Sequence, residues 1–156
     1  FGCAHANRVF DMLIDKPAGH PHETPWHQDA SYMQVPTTPP GFRMPLTQVQ
    51  FWIALDDAPI ASGCVELIPG SHRGGLATPA GGVIPAALVD EARAVPAPAV
   101  AGEALLLDPL VWHRSRRNHT AAPRRALALV LMPASTRCTR TRTAPRQFVR
   151  LYSSAG

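Results

Sequence analysis

Cysteine is scarce in this chain of 156 residues: three residues, odd in number, far apart and without a CxxC pair. That argues against a disulfide framework and makes a reducing cytoplasm the expected compartment. No run of 18 or more apolar residues occurs, so no membrane span is predicted. The N-terminus lacks the basic-then-apolar pattern of a secretory leader. It also lacks Met, and a chain that opens on Phe1 reads as a fragment or a processed product. Long helices have little room among 17 scattered prolines. Charged residues make up only 17% and apolar ones 46%, a balance that suits a folded core and not a disordered chain. The net charge of +4 rests mainly on arginine, and ten arginines lie beyond position 113. A basic tail can bind nucleic acid, but no interleaved aromatics, helix-turn-helix or zinc-finger spacing accompanies this one. A solvated basic surface and no nucleic-acid partner are expected.

What is present is a series of short apolar runs with period-two alternation, which predicts strands. Five stand out: Arg8 to Asp15, Leu46 to Asp56, Cys64 to Ile68, Glu103 to Asp108, and Arg125 to Met132. Only Ala86 to Ala94 reads as helical, with Pro85 placed for its first turn. Short strands between turn-rich loops predict an all-β fold, a sandwich or barrel of the jelly-roll kind, in one domain over 1–156. Residues 74–102, rich in Gly, Ala and Pro, read as an inter-strand insertion, and 134–156 as a basic tail. Along the clearest strand, Gln48, Gln50, Trp52 and Ala54 share one face, and Val49, Phe51, Ile53 and Leu55 the other. One face is uniformly apolar. The opposite one mixes amides with an indole, as a wet pocket would.

His27-Gln28-Asp29 carries the first chemical signal. In an extended segment residues i and i+2 project to one side, so an imidazole nitrogen and a carboxylate oxygen can meet one metal ion. Two histidines and one carboxylate leave open positions for further ligands, the arrangement of non-haem iron(II) oxygenases. The third ligand must come from elsewhere. His5, His20, His22, His72 and His119 lie in loop-like or terminal contexts, whereas His113 follows the run Leu105-Leu106-Leu107-Asp108 and is preferred. Arg124 comes eleven residues later, at the head of the last strand. If His113 ends one strand and Arg124 begins its neighbour, the guanidinium points into the same cavity. A buried arginine there wants a carboxylate, and a dicarboxylate could reach it from the metal. Alternation forces Arg125 to face the other way.

These residues bring the chain to a known family. Asp15-Lys16-Pro17, Pro25-Trp26-His27-Gln28-Asp29, the stretch from Trp52 to Ala58, the stretch from Gly63 to Arg73, and Trp112-His113-Arg114-Ser115 through Asn118 to Arg124-Arg125-Ala126 stand in an order that resembles the phytanoyl-CoA dioxygenase family. The resemblance covers about 8–132. It implies a double-stranded β-helix, iron(II) on His27, Asp29 and His113, and 2-oxoglutarate as cosubstrate with O2. It implies that Arg124 and Ser115 meet the distal carboxylate and that Met12, Gln28 and Trp52 line the cosubstrate. Halogenating relatives carry Ala or Gly at the carboxylate position. Asp29 therefore implies hydroxylation of a small-molecule substrate or a related oxidation. Two departures stand out. Arg114 replaces the usual glycine, so the turn after His113 is expected to be altered. The family's N-terminal region, at times with a cosubstrate-contacting lysine, has no counterpart here.

The rival reading is a cupin-like domain that binds zinc or manganese without redox chemistry, or an inactive fragment. Arg124 with Ser115 separates the two, because a simple metal-binding domain has no need of them. Pro69-Gly70-Ser71-His72 reads as a structural turn and His72 not as a ligand. Substrate selectivity is assigned to 30–45 and 74–102, with Tyr32, Met33, Phe42 and Arg43 as candidates. The face of Val49, Phe51, Ile53 and Leu55, continued by Leu127, Leu129 and Leu131, is expected to need a cover: a missing N-terminal segment or a second copy.

Overall fold

The computed structural model describes residues 5–33, 41, 48–78, 82–133 and 149–153. Its strands are β1 (His5–Lys16), β2 (Thr24–His27), β3 (Val49–Ala54), β4 (Val65–Leu67), β5 (Val95–Ala97), β6 (Ala104–Leu107), β7 (His113–Ser115), β8 (Arg124–Pro133) and β9 (Val149–Ser153), with one short helix, α1 (Ala30–Met33), after β2. They form two sheets, a five-stranded one in the order β6-β3-β8-β1-β9 and a four-stranded one in the order β2-β7-β4-β5. Strand pairing is antiparallel in both. The described residues are mainly β, in two antiparallel sheets, as the all-β jelly-roll expectation requires.

Local alternation dictates which side chains enter the interior. In β8, Arg124, Ala126, Ala128, Val130 and Met132 are buried, while Leu127, Leu129 and Leu131 are only half-buried on the outer side. β3 repeats the pattern in register, with Trp52 opposite Ala128 and Ala54 opposite Ala126. The small alanines leave room beneath the indole. The core gathers Trp52, Ala54, Ala58, Cys64, Val65, Ala99, Leu107, Val111 and Ala126. Each large apolar side chain removed from water there contributes about 1.5–3 kcal/mol.

Several expectations change. The segment predicted as a helix over Ala86 to Ala94 is two separate 3₁₀ turns, Ala86–Leu88 and Glu91–Arg93. Pro85 starts the first, and the Asp90 carboxylate caps the second by accepting from Ala92 N at 3.2 Å. Extended residues at Val89 and Asp90 prevent their fusion. The stretch read as an insertion contains β5, which pairs with β4 and edges the smaller sheet. In the stretch read as a tail, β9 pairs with β1, and the rest lies outside the described residues. β7 and β8 are not neighbours either: His113 sits in one sheet and Arg124 in the other.

Candidate metal centre

β2 and β7 run antiparallel with His27 opposite His113. Their imidazole rings lie 4.1 Å apart between centroids. The chain leaves β2 through Gln28 and delivers Asp29 just before α1. Asp29 Oδ1 then stands 3.7 Å from His27 Nε2, and Oδ2 stands 3.5 Å from His113 Nε2. Each Nδ1 is held by the carbonyl two residues earlier, Pro25 O at 2.8 Å for His27 and Val111 O at 3.0 Å for His113. Those bonds assign the Nδ1–H tautomer, so each Nε2 offers a lone pair to the shared centre. Burial, and next the neighbouring His113, hold the His27 pKa below its usual value. Asp29 Oδ2 is buried and has no hydrogen-bond partner. Three ligand atoms within 4.8 Å of one another, two imidazole nitrogens and one orphaned carboxylate oxygen, fit a divalent cation. His72 is not in this group.

The intervening Gln28 is fully buried and points elsewhere. Its Nε2 donates to Gly75 O at 2.9 Å and Leu110 O at 2.6 Å, while its Oε1 accepts from Ala77 N at 2.7 Å. The Gln28 amide, expected beside the cosubstrate, is thus taken up by backbone groups. Alternation turns it away from the metal side, and its amide clamps the 75–77 loop to the turn before His113.

Arg114 behaves likewise on the back of β7. It is 8% exposed, donates from Nε to Glu66 at 2.7 Å, and grips Glu91 with Nη1 at 2.8 Å and Nη2 at 2.6 Å. Its Cζ lies 4.4 Å from the ring centroid of Trp26, whose Nε1 also donates to Glu91 at 3.0 Å. Trp26 precedes His27 and Arg114 follows His113, so this cluster ties the two ligand strands together from behind. The expected altered turn at Arg114 is a regular strand whose outer face is covered by this network.

Arg124 is 1% exposed, whereas Arg125 lies on the surface in a two-point pair with Asp56 at 2.8 Å. Arg124 Nη2 donates to Gly63 O at 3.1 Å and to Ser115 Oγ at 2.9 Å, and Ser115 Oγ in turn donates to Gly63 O at 2.8 Å. Arg124 Nε and Nη1 have no partner. Its Cζ stands 5.4 Å from the ring centroid of Trp52. Ser115 is two residues from His113, about 7 Å along a strand at ~3.3 Å per residue. A buried cation with two unmet donors is thus bonded to the strand that carries His113. Met12 shares this inner face, opposite Ala128, but is 46% exposed at its edge.

Sequence reasoning missed two residues here. Lys16 is 4% exposed, and its Nζ donates to Ser115 O at 3.0 Å and to Arg116 O. Burial, and then Arg124, lower its pKa to about 8. Asn118, also buried, ties Lys16 O, Pro17 O and Ala122 O to one amide. Both stand in stretches that carry the family resemblance, but nothing in those stretches signals such contacts. Among the suggested substrate-side residues, Tyr32 packs edge-on to His27 at 6.1 Å, Met33 closes α1, and Phe42 and Arg43 lie outside the described residues. The Pro69-Gly70-Ser71-His72 stretch leads into a 3₁₀ turn, Ser71–Gly74, in which Ser71 Oγ accepts from Trp112 N at 2.8 Å.

With this geometry in hand, comparison with known proteins is specific. The sequence profile described as phytanoyl-CoA dioxygenase matches residues 3–126. Phytanoyl-CoA dioxygenase domain-containing protein 1 of Bos taurus is 36% identical over 138 residues, 81% of this chain and 45% of that protein. The chain thus spans about half the length of the curated relatives it matches. EvdO2 from Micromonospora carbonacea var. aurantiaca, solved with 2-oxoglutarate, is 33% identical and superposes with a TM-score of 0.67 over 83% of this chain and 52% of that one. EctD from S. alaskensis, solved with 2-oxoglutarate and 5-hydroxyectoine, is 25% identical with a TM-score of 0.73 over 86% of this chain and 46% of that one. The profile match across most of its length, with these relatives, shows that the chain belongs to the phytanoyl-CoA dioxygenase family.

Proposed function

We propose that this chain carries the catalytic centre of a non-haem iron(II)- and 2-oxoglutarate-dependent dioxygenase. It hydroxylates a C–H bond of a small organic substrate. One atom of O2 enters the alcohol and the other enters succinate, and the cosubstrate's 1-carboxylate leaves as CO2. One observation carries the reading. A two-histidine, one-carboxylate cluster includes His113 of β7, and Ser115, two residues further along that strand, holds a buried arginine with two unmet donors. A redox-silent metal domain has no use for that arginine.

His27, Asp29 and His113 hold the metal. When bound there, iron(II) supplies the one-electron chemistry that lets O2 react with a C–H bond. The protein's own residues do the rest. Pro25 O and Val111 O fix the imidazoles so that only Nε2 faces the metal. Arg124, steadied by Ser115 and Gly63, takes the distal carboxylate of 2-oxoglutarate. Trp52 walls the same space and helps exclude water. The Asp29 carboxylate fills the position that halogenation would need free, which supports oxygen insertion as the outcome. Among the described residues no helix is long and apolar enough to cross a membrane. The described cysteine, Cys64, is buried and free.

The test is spectroscopic. Anaerobic iron(II) with 2-oxoglutarate should give a weak visible charge-transfer band in the full chain. His27→Ala, Asp29→Ala and His113→Ala should each abolish it. A band unchanged in His113→Ala would move the third ligand to another histidine. Succinate release across a metabolite panel then identifies the substrate.

A further inference from the structure

One buried amide in the interior takes no part in the metal site or the arginine grip. Gln48 is 1% exposed, and neither its Nε2 nor its Oε1 has a hydrogen-bond partner. Folding alone does not account for it, because a buried amide left unmatched is costly and native proteins rarely keep one. Gln28 and Asn118, equally buried, are each satisfied by several backbone groups. Gln48 is the exception among the described buried amides whose atoms are all enclosed.

Its place in the fold says what it faces. Burial alternates from Gln48 through Ala54, so Gln48 shares the inner side of β3 with Gln50, which is 9% exposed, and with Trp52. Trp52 borders Arg124. Gln48 lies four residues back, about 13 Å at ~3.3 Å per residue. Gln50 is paired with Leu107, the last residue of β6. From there the chain crosses between the sheets through residues 108–112 and enters β7 at His113. Ala30, next to Asp29, anchors that same turn by donating to Pro109 O at 2.8 Å. The connection that ends at His113 therefore leaves the larger sheet at the Gln48 end of β3, whereas Arg124 lies toward its Ala54 end.

We infer that Gln48, with Gln50 beside it, is the substrate-recognition element of this site, and that it selects a neutral polar group able to donate and accept a hydrogen bond at once, a hydroxyl or a carboxamide. The inference rests on the oxygenase reading for the identity of the Gln48 end as the substrate side. The chemistry follows from the amide itself. Oε1 needs a donor and Nε2 needs an acceptor. A hydrocarbon chain would satisfy neither atom. A carboxylate would satisfy Nε2 and leave Oε1 facing a like partial charge. A site built to hydrogen-bond such a group rejects analogues that lack it far more strongly than an apolar wall rejects a change of size.

Two measurements on the full, metal-free chain decide it. Gln48→Leu removes the unmatched atoms while nearly keeping the volume, so its Tm should rise by a few degrees over the unsubstituted protein. A fall in Tm would show that Gln48 is held by structural bonds and overturn the inference. The second uses excess acetamide, which carries both hydrogen-bonding roles. Acetamide should raise the Tm of the unsubstituted protein relative to Gln48→Leu, a comparison that cancels its general solvent effect. Acetate should give no such difference. Equal shifts in the two proteins, or none in either, would also overturn the inference. Neither scan needs iron or 2-oxoglutarate, so a missing charge-transfer band would sink the oxygenase reading without touching the Gln48 result.

Discussion

Replacing Arg124 by methionine keeps most of the side-chain volume and removes a charge that folding does not need. In the ligand-free protein, Nε and Nη1 are buried without partners, and only Nη2 is engaged, by Gly63 O and Ser115 Oγ. Each unmatched buried donor costs about 1–3 kcal/mol. Methionine forfeits the bonds of Nη2 but relieves those costs, so the ligand-free variant should be at least as stable as the parent. At about 2–4 °C per kcal/mol for a chain of this size, its Tm should hold or rise by a few degrees. Binding should behave in the opposite way. Losing one partner of a desolvated, charge-assisted pair costs about 2–5 kcal/mol. That corresponds to a loss of roughly thirty- to several-thousand-fold in 2-oxoglutarate affinity. Metal affinity should barely change, because Arg124 touches none of His27, Asp29 and His113. Calorimetric titration of 2-oxoglutarate into the anaerobic iron(II) protein measures the first quantity, and titration of the metal alone the second. A change in 2-oxoglutarate Kd below threefold would refute the reasoning. So would a larger loss from Arg125→Met, since Arg125 lies outside, paired with Asp56.

Two more outcomes follow from groups around the same interior. Lys16 has a folded-state pKa of about 8 against an ordinary 10.5, lowered by burial and then by Arg124. The unfolded chain therefore binds more protons between about pH 8 and 10.5, and Lys16 makes the protein more stable as pH rises through that window. Binding of a dianion beside Arg124 should pull the Lys16 pKa back up, so 2-oxoglutarate affinity should be strongest below pH 8 and weaken above it. Kd measured at pH 7 and pH 9 should show this, and Lys16→Met should flatten the profile. On the outer face of the larger sheet, Leu13 is 62% exposed and Leu106 63% exposed, bordering half-buried Phe51, Ile53, Leu127 and Leu129. A contiguous apolar surface of this kind should drive self-association of the 156-residue chain, and light scattering that reports a stable monomer would show that the face needs no cover.

The parts of the site that local periodicity governs were legible in the sequence. Neighbours in a strand must face opposite ways, so Arg124 inside and Arg125 outside follow from β8 alone. The i, i+2 rule places His27 and Asp29 on one side, and the same rule puts Gln48, Gln50 and Trp52 on the inner face. What local patterns cannot carry is the pairing of strands distant in sequence. β7 is three residues long and buried on both sides, so it shows no alternation at all. Its true neighbours are β2 and β4, not β8. The contacts of Gln28 were illegible for a related reason. Its residue type suits a polar pocket, but its three partners come from loops 47 to 82 residues away, and nothing near it in sequence announces them. Lys16 is the same case, buried against carbonyls about a hundred residues away.

Gly63 joins what these separate elements build. It stands at φ +74°, a conformation that favours glycine, and a Cβ there would collide with the carbonyls of Arg116 and Arg117. Its backbone must therefore pack tightly against the residues just after β7. That close approach brings its own carbonyl to both Ser115 Oγ and Arg124 Nη2. One peptide group thus fixes the arginine of the larger sheet relative to the histidine-bearing strand of the smaller one. The spacing between the strand that carries His113 and the Arg124 guanidinium is set by backbone contacts, and only secondarily by the Ser115 and Arg124 side chains. Conservative changes at Ser115 or Arg124 alter the chemistry offered at a fixed distance. A side chain at position 63 alters the distance itself.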